Sequence, residues 1–143
     1  MTFMQTVNAT DVRKNFSFYI DTVVRERPIA VKRNRDVLLL LSDQMVKDLV
    51  ENLKFQAEVI NDNEIFVGTI YGFDLVVQAE SEEQVIRKLA EELLDYAQDY
   101  MNDFKLYYNA PNRKGHHPYV LKLLLASTVE EIMGFIDTEM VRA

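Results

Sequence analysis

Apolar and polar positions along this chain alternate between two rhythms, and the changes of rhythm mark its elements. Gln5–Asn8 alternates weakly, as a short strand does. Val12, Phe16, Tyr19, Ile20 and Val23 then recur at helical spacing. That spacing predicts one helix starting at Thr10 and closed by Pro28 at Arg27 at the latest. Two β-rich runs follow, Ile29–Arg33 and Val37–Leu41, with a polar turn at Asn34–Asp36 between them. This is the signature of a hairpin. Leu38, Leu39, Leu40 and Leu41 do not alternate, so that strand is expected to be buried on both faces. Ser42 and Asp43 suit a helix start, and Met45, Val46, Leu49, Val50 and Leu53 form its apolar stripe.

A second pattern begins near Lys54. Phe55–Ile60 alternates, Asn61–Glu64 reads as a turn, and Ile65–Ile70 resumes as a strand. Residues 71–74 break the run before a third strand at Leu75–Ala79. Ser81-Glu82-Glu83-Gln84 is a capping box. Behind it lies a long helix with Val85, Leu89, Leu93, Tyr96, Tyr100 and Phe104 down one side. Ile86, Ala90, Leu94 and Ala97 lie beside them, and acids occupy the opposite face. Asn109–Pro118 reads as a loop, Tyr119–Ala126 as an apolar helix. A last helix is expected behind Ser127 or Thr128, with Val129, Ile132, Met133 and Ile136 inside. The chain therefore predicts an α+β protein in two parts: β-α-β-β-α over residues 1–53, and β-β-β-α with C-terminal helices over residues 54–143. Some fifty residues hardly bury a four-leucine strand alone, so the first part is expected to dimerise.

Charge sharpens this division. The net charge is -7, which by itself argues against a nucleic-acid partner. Residues 1–41, however, hold seven Lys/Arg against four Asp/Glu, a net +3, and the remainder carries -10. A basic head on an acidic body suits two partners of opposite sign. Lys32, Arg33 and Arg35 crowd the hairpin turn, either as a solvated tip or as a ribbon that meets nucleic acid. The chain has no cysteine, which removes disulfides, thiol catalysis and thiolate zinc sites. No apolar run is long enough to span a membrane, and no signal sequence opens the chain. The expectation is a soluble cytoplasmic protein.

The first part resembles the N-terminal module of the Phd/YefM family of bacterial antitoxins. The resemblance rests on Val7-Asn8-Ala9-Thr10-Asp11-Val12-Arg13-Lys14-Asn15-Phe16 and on Ile29-Ala30-Val31-Lys32-Arg33-Asn34, continuing through Val37–Leu41 to Ser42. It implies a homodimer, or a higher homo-oligomer, that binds operator DNA. Arg13 and Arg33 would occupy the base-contacting positions, with Lys14, Lys32 and Arg35 near phosphates. An arginine fork can bond guanine O6 and N7 together. Leu38, Leu39, Leu40 and Leu41 would form the dimer core. The chain departs from that family at Arg35, where glycine is usual, and at Ser42-Asp43-Gln44-Met45-Val46, where the last helix often begins Ser-x-Glu-Glu-aromatic.

Residues 54–104 are similar to the HicB-like antitoxin domain, a partial RNase-H-like fold. The matching features are Phe55-Gln56-Ala57-Glu58-Val59-Ile60, the strand ending near Gln78-Ala79, and the helix behind Ser81-Glu82-Glu83. Tyr71-Gly72-Phe73-Asp74 replaces that family's Pro-Gly segment. Together the resemblances imply an antitoxin that represses its own operon and neutralises a toxin, itself expected to be a basic, RNase-type protein. The alternative is a repressor or oligomerisation scaffold with no toxin partner.

Other chemistry is weakly represented. Glu58, Asp62, Glu64 and Asp74 could be a nuclease's metal-binding acids, but acids on strands and turns are usually solvated. His116-His117 has no third ligand at a useful spacing and reads as an exposed loop, with Arg113-Lys114 beside it. No glycine-rich phosphate loop and no nucleophile elbow occur. No enzyme activity, metal or cofactor is expected.

Overall fold

The computed structural model describes residues 2–142. The chain is α+β and divides into two compact units, Met1–Leu49 and Val50–Ala143.

In the first unit, strand β1 (Thr6–Asn8) leads into helices α1 (Ala9–Lys14) and α2 (Phe16–Arg25). Strands β2 (Ile29–Arg33) and β3 (Asp36–Leu40) and helix α3 (Asp43–Leu49) follow. The sheet order is β1-β2-β3, with β1 parallel and β3 antiparallel to β2. The helix starts one residue before the expected position, because Asn8 caps it: its Oδ1 accepts from the Thr10 amide at 2.8 Å. The expected single helix is two. Asn15 leaves helical geometry at φ −124° and ψ 42°, and its side-chain amide donates to the Asp11 carbonyl at 3.4 Å. Asparagine competes in this way with the helical ladder. The break turns Phe16 off the apolar face, where it is exposed, while Val12, Val23, Ile29 and Val31 form the unit's core with Tyr19 and Leu40 against it.

The hairpin turn is tighter than expected, because Arg33 pairs with Asp36 and only Asn34-Arg35 lie outside the ladder. Asn34 takes the left-handed conformation at φ 55°. Asparagine tolerates that region, and the turn places Arg35 at negative φ, so no glycine is needed there. Within the single chain the leucine strand is not buried on both faces. β3 is a sheet edge, and Leu38 and Leu39, on opposite faces, are 54% and 52% exposed. Leu40 packs on the unit's own core, and Leu41 is half-buried beyond the strand end. Ser42 does cap α3, its Oγ accepting from Met45 N at 3.2 Å. The expected stripe is cut short, however, since α3 stops at Leu49, itself exposed.

Val50–Leu53 belong to the second unit for a specific reason. The buried Lys122 ammonium donates to the carbonyls of Val50 (3.1 Å), Glu51 (2.9 Å) and Leu53 (2.7 Å). The rest of the unit is β4 (Phe55–Asp62), β5 (Ile65–Ile70), β6 (Phe73–Ala79), α4 (Glu82–Asn102) and α5 (Phe104–Asn109). A 3-10 turn (Lys114–His116), α6 (His117–Leu124), α7 (Val129–Met133) and β7 (Ile136–Arg142) complete it. The sheet order is β6-β5-β4-β7.

Asn63 and Glu64, both left-handed, close the β4–β5 hairpin, as a two-residue hairpin turn favours. Gly72 at φ 82° turns β5 into β6, which starts at Phe73 and so takes in Phe73 and Asp74, expected as a break. Ser81 caps α4 through Gln84 N at 3.2 Å, while the Gln84 side chain reaches back to Glu80 N. Val85, Leu89, Leu93, Ala97 and Tyr100 of α4 are fully buried against the sheet and against α6 and α7. Burying a valine or leucine side chain contributes about 1.5–3 kcal/mol.

Other expectations in this unit fail too: the long helix ends at Asn102, so Phe104 lies on α5 and not on its apolar side. The stretch from Asn109 to Pro118 is not an open loop: α5 ends at Asn109, and a 3-10 turn feeds α6, with Pro118 in its first turn. Ile136 does not continue the last helix. Thr128 caps α7, which ends at Met133, and Ile136 opens β7, which runs parallel to β4 from Phe55↔Ile136 onward.

Candidate nucleic-acid interface

The first unit's basic residues are placed by its parallel strand pair. The β1–β2 register aligns Asn8 with Lys32. The start of α1 therefore lies beside the end of β2, and Arg13 and Arg33 come to one place from different elements. Together with Asn8, Ala9, Thr10, Lys32 and Asn34 they line a concavity of about 670 Å³. Lys14 and Arg35 lie outside it, on the exposed surface of α1 and of the turn. All five cations are exposed, and among the described residues none forms an ion pair. Their charges are thus free to meet an external anion. Charge patterning points to the cations alone; the polar contributors Asn8, Thr10 and Asn34 are found only through the register and the turn.

The sequence pattern of the PHD-like family, described as antitoxin of toxin-antitoxin, RelE/RelB, TA system, matches residues 1–138. The chain belongs to this antitoxin family. It is also similar to a protein of Syntrophomonas wolfei subsp. wolfei, described as an antitoxin part of a candidate toxin/antitoxin system. The crystal structure of that protein shares 66% identity and a TM-score of 0.94, over 96% of this chain and 100% of that one. No curated protein matches.

The second unit of this PHD-like antitoxin holds its histidines in an aromatic cluster, not on an exposed loop. His116 stacks on Phe73 with ring centroids 4.0 Å apart. Its Nε2 lies 2.8 Å from the Gly72 carbonyl, which can only accept, so Nε2 carries a proton. In the neutral ring Nδ1 then accepts from the Tyr96 hydroxyl at 2.6 Å. Burial, helped by the Arg113 charge, pushes the His116 pKa down, against the Gly72 carbonyl and Asp74. Burial raises that of Tyr96, with Arg113 pulling part of the way back. His117 faces Tyr100, Phe104 and Tyr108 instead, and burial lowers its pKa too. The two rings have different surroundings. Among the described residues no group of three or more His, Asp or Glu could hold a metal ion. Glu58, Asp62, Glu64 and Asp74 are all exposed. No described helix is long and apolar enough to cross a membrane.

Proposed function

We propose that the first unit of this antitoxin binds operator DNA as a homodimer and represses its own transcription. The observation that carries this reading is the convergence of Arg13, Lys32 and Arg33 on one concave surface. Arg13 and Arg33 read base edges, while Lys14, Lys32 and Arg35 supply phosphate contacts and with them a salt-dependent affinity. The exposed faces of Leu38 and Leu39 on the β3 edge are the surface a second copy covers, making a symmetric dimer suited to a palindromic operator. We read this unit as Phd/YefM-like.

The second unit, with eight Lys/Arg against seventeen Asp/Glu, neutralises the toxin. Its charge favours a basic partner, of RNase type, blocked by occlusion. We read it as HicB-like with a partial RNase-H-like outline; β7, parallel to β4 after the helix, extends that outline by one strand. The antitoxin works in the bacterial cytoplasm without enzymatic activity of its own.

The test is a mobility-shift assay with the DNA upstream of the antitoxin gene. Wild-type protein should retain that fragment against excess unrelated DNA, and the Arg13→Ala/Arg33→Ala variant should not. Equal retention by the two proteins would refute the DNA reading. Co-purification of a small basic protein from the native cell tests the toxin reading separately.

A further inference from the structure

We infer that the second unit holds a binding site for a small zwitterion, a free amino acid with an apolar side chain. The site is a pocket of about 380 Å³ between the β5–β6 turn, α4 and the 3-10 turn. That volume lies at the small end of ligand sites. Its walls are fixed by the cluster described above. His116 is stacked on Phe73 and bonded on both ring nitrogens, so its hydrogen-bonding capacity and that of the Tyr96 hydroxyl are largely used internally. The charged groups that line the pocket are of opposite sign, Arg113 and Asp74, and among the described residues neither forms an ion pair.

Arg113 is built as a receptor. Its guanidinium lies over the rings of Tyr96 and Tyr107, 5.4 Å from each centroid. Its backbone is held at both ends: its amide donates to the Ala110 carbonyl at 3.0 Å, and its carbonyl accepts from the Tyr100 hydroxyl at 2.9 Å. One of its N–H donors serves the Tyr96 hydroxyl, and the planar five-donor fork leaves others for a carboxylate. A simple anion would gain Arg113 and be repelled by Asp74; a simple cation would meet the reverse. A molecule carrying both charges satisfies both walls, its carboxylate on Arg113 and its ammonium toward Asp74. Phe73 and Leu75 offer its side chain an apolar surface.

The probes are L-leucine and L-phenylalanine, titrated into the full chain with the Gly72 and His116 amide resonances as readout. Both resonances should shift and saturate. Isocaproate and isoamylamine, each half of the leucine charge pattern, should bind at least about tenfold more weakly, the loss of one charge-assisted contact. Asp74→Asn should remove the preference for leucine over isocaproate, and Arg113→Lys should weaken leucine by a similar factor. Asp74 is exposed, so its variant keeps the fold and decides the matter if Arg113→Lys does not fold. The inference is overturned if neither amino acid shifts these resonances at millimolar concentration. It is equally overturned if isocaproate binds as tightly as leucine, or if Asp74→Asn leaves the preference intact.

Discussion

Arg13 on α1 and Arg33 at the end of β2 line one concavity, although the whole of α2 separates them in sequence. In the proposed operator complex the two forks that line this concavity read base edges together, and the outlying Lys14 and Arg35 meet only the backbone. The cations should therefore differ in kind. Arg33→Ala should cost about 1–3 kcal/mol on the operator and little on random DNA. Lys14→Ala and Arg35→Ala should weaken both equally and each lower the salt slope of log K by about 1. Fluorescence anisotropy over a salt series measures all of this. The assignment of roles fails if Arg33→Ala weakens operator and random DNA alike.

Leu38 and Leu39 point to opposite sides of an edge strand and are both about half exposed. An exposed apolar edge invites pairing. Leu38→Glu/Leu39→Glu should convert the proposed dimer to monomer in light scattering. Neither side chain is buried within its own unit, so the circular-dichroism spectrum should stay as in wild type. An unchanged molecular mass would place the dimer contact elsewhere.

What the sequence made legible was the part governed by local chemistry. Ser42, Ser81 and Thr128 cap helices as their positions suggest, and β2, β4 and β5 begin at the residues expected, Ile29, Phe55 and Ile65. The misses arose where a distant contact or a competing hydrogen bond decided the outcome. Asn15 broke a helix that its apolar periodicity favoured. Ile136 fits the stripe of the preceding helix, yet β4 offered it an open edge, and the alternation through Asp137, Thr138, Glu139 and Met140 was the overlooked signal. The cations stood out by charge. Their convergence did not, because it depends on the parallel register of β1 and β2. The ordering of His116 was equally hidden, since Gly72, Phe73 and Tyr96 lie far from it in sequence.

Lys122 holds three carbonyls of Val50–Leu53 while its ammonium sits 4.5 Å above the Phe135 ring. Burial, aided by the Lys54 charge, pushes its pKa down, but three acceptors keep the ammonium form matched to its site. Lys122→Met retains the apolar stem and strands the carbonyls, so it should destabilise the second unit by about 1–3 kcal/mol. Urea denaturation is the measurement. No change in the midpoint would mean that water replaces the ammonium at no cost.

Gly68 lies in β5 beneath α4, where a Cβ would overlap Val85 Cγ1 and crowd Leu89. Both neighbours are fully buried and cannot swing away into solvent. Gly68→Ala should therefore lower stability by about 1–3 kcal/mol, the usual cost of overpacking. Thermal unfolding should show a lower Tm, and Gly68→Ala/Val85→Ala, which removes the overlapping methyl, should recover part of it. A Tm equal to wild type in the single variant would mean that α4 shifts without strain.

The histidines give the second unit a pH dependence whose sign is fixed. Both are held below the ordinary histidine value of 6.5, chiefly by burial. The unfolded chain therefore takes up protons before the folded chain does. Stability contributed by the neutral rings is complete above 6.5 and is lost as the pH falls through the lowered folded values. His116 feels Tyr96, Arg113 and Asp74; His117 packs among Tyr100, Phe104 and Tyr108. Urea midpoints measured from about pH 7.5 down to about pH 5 should fall in wild type more steeply than in His117→Phe. Phenylalanine keeps the aromatic contacts and removes the titration, and acid-sensitive carboxylates are common to both proteins. Parallel pH profiles would show that His117 titrates alike in the folded and unfolded chain.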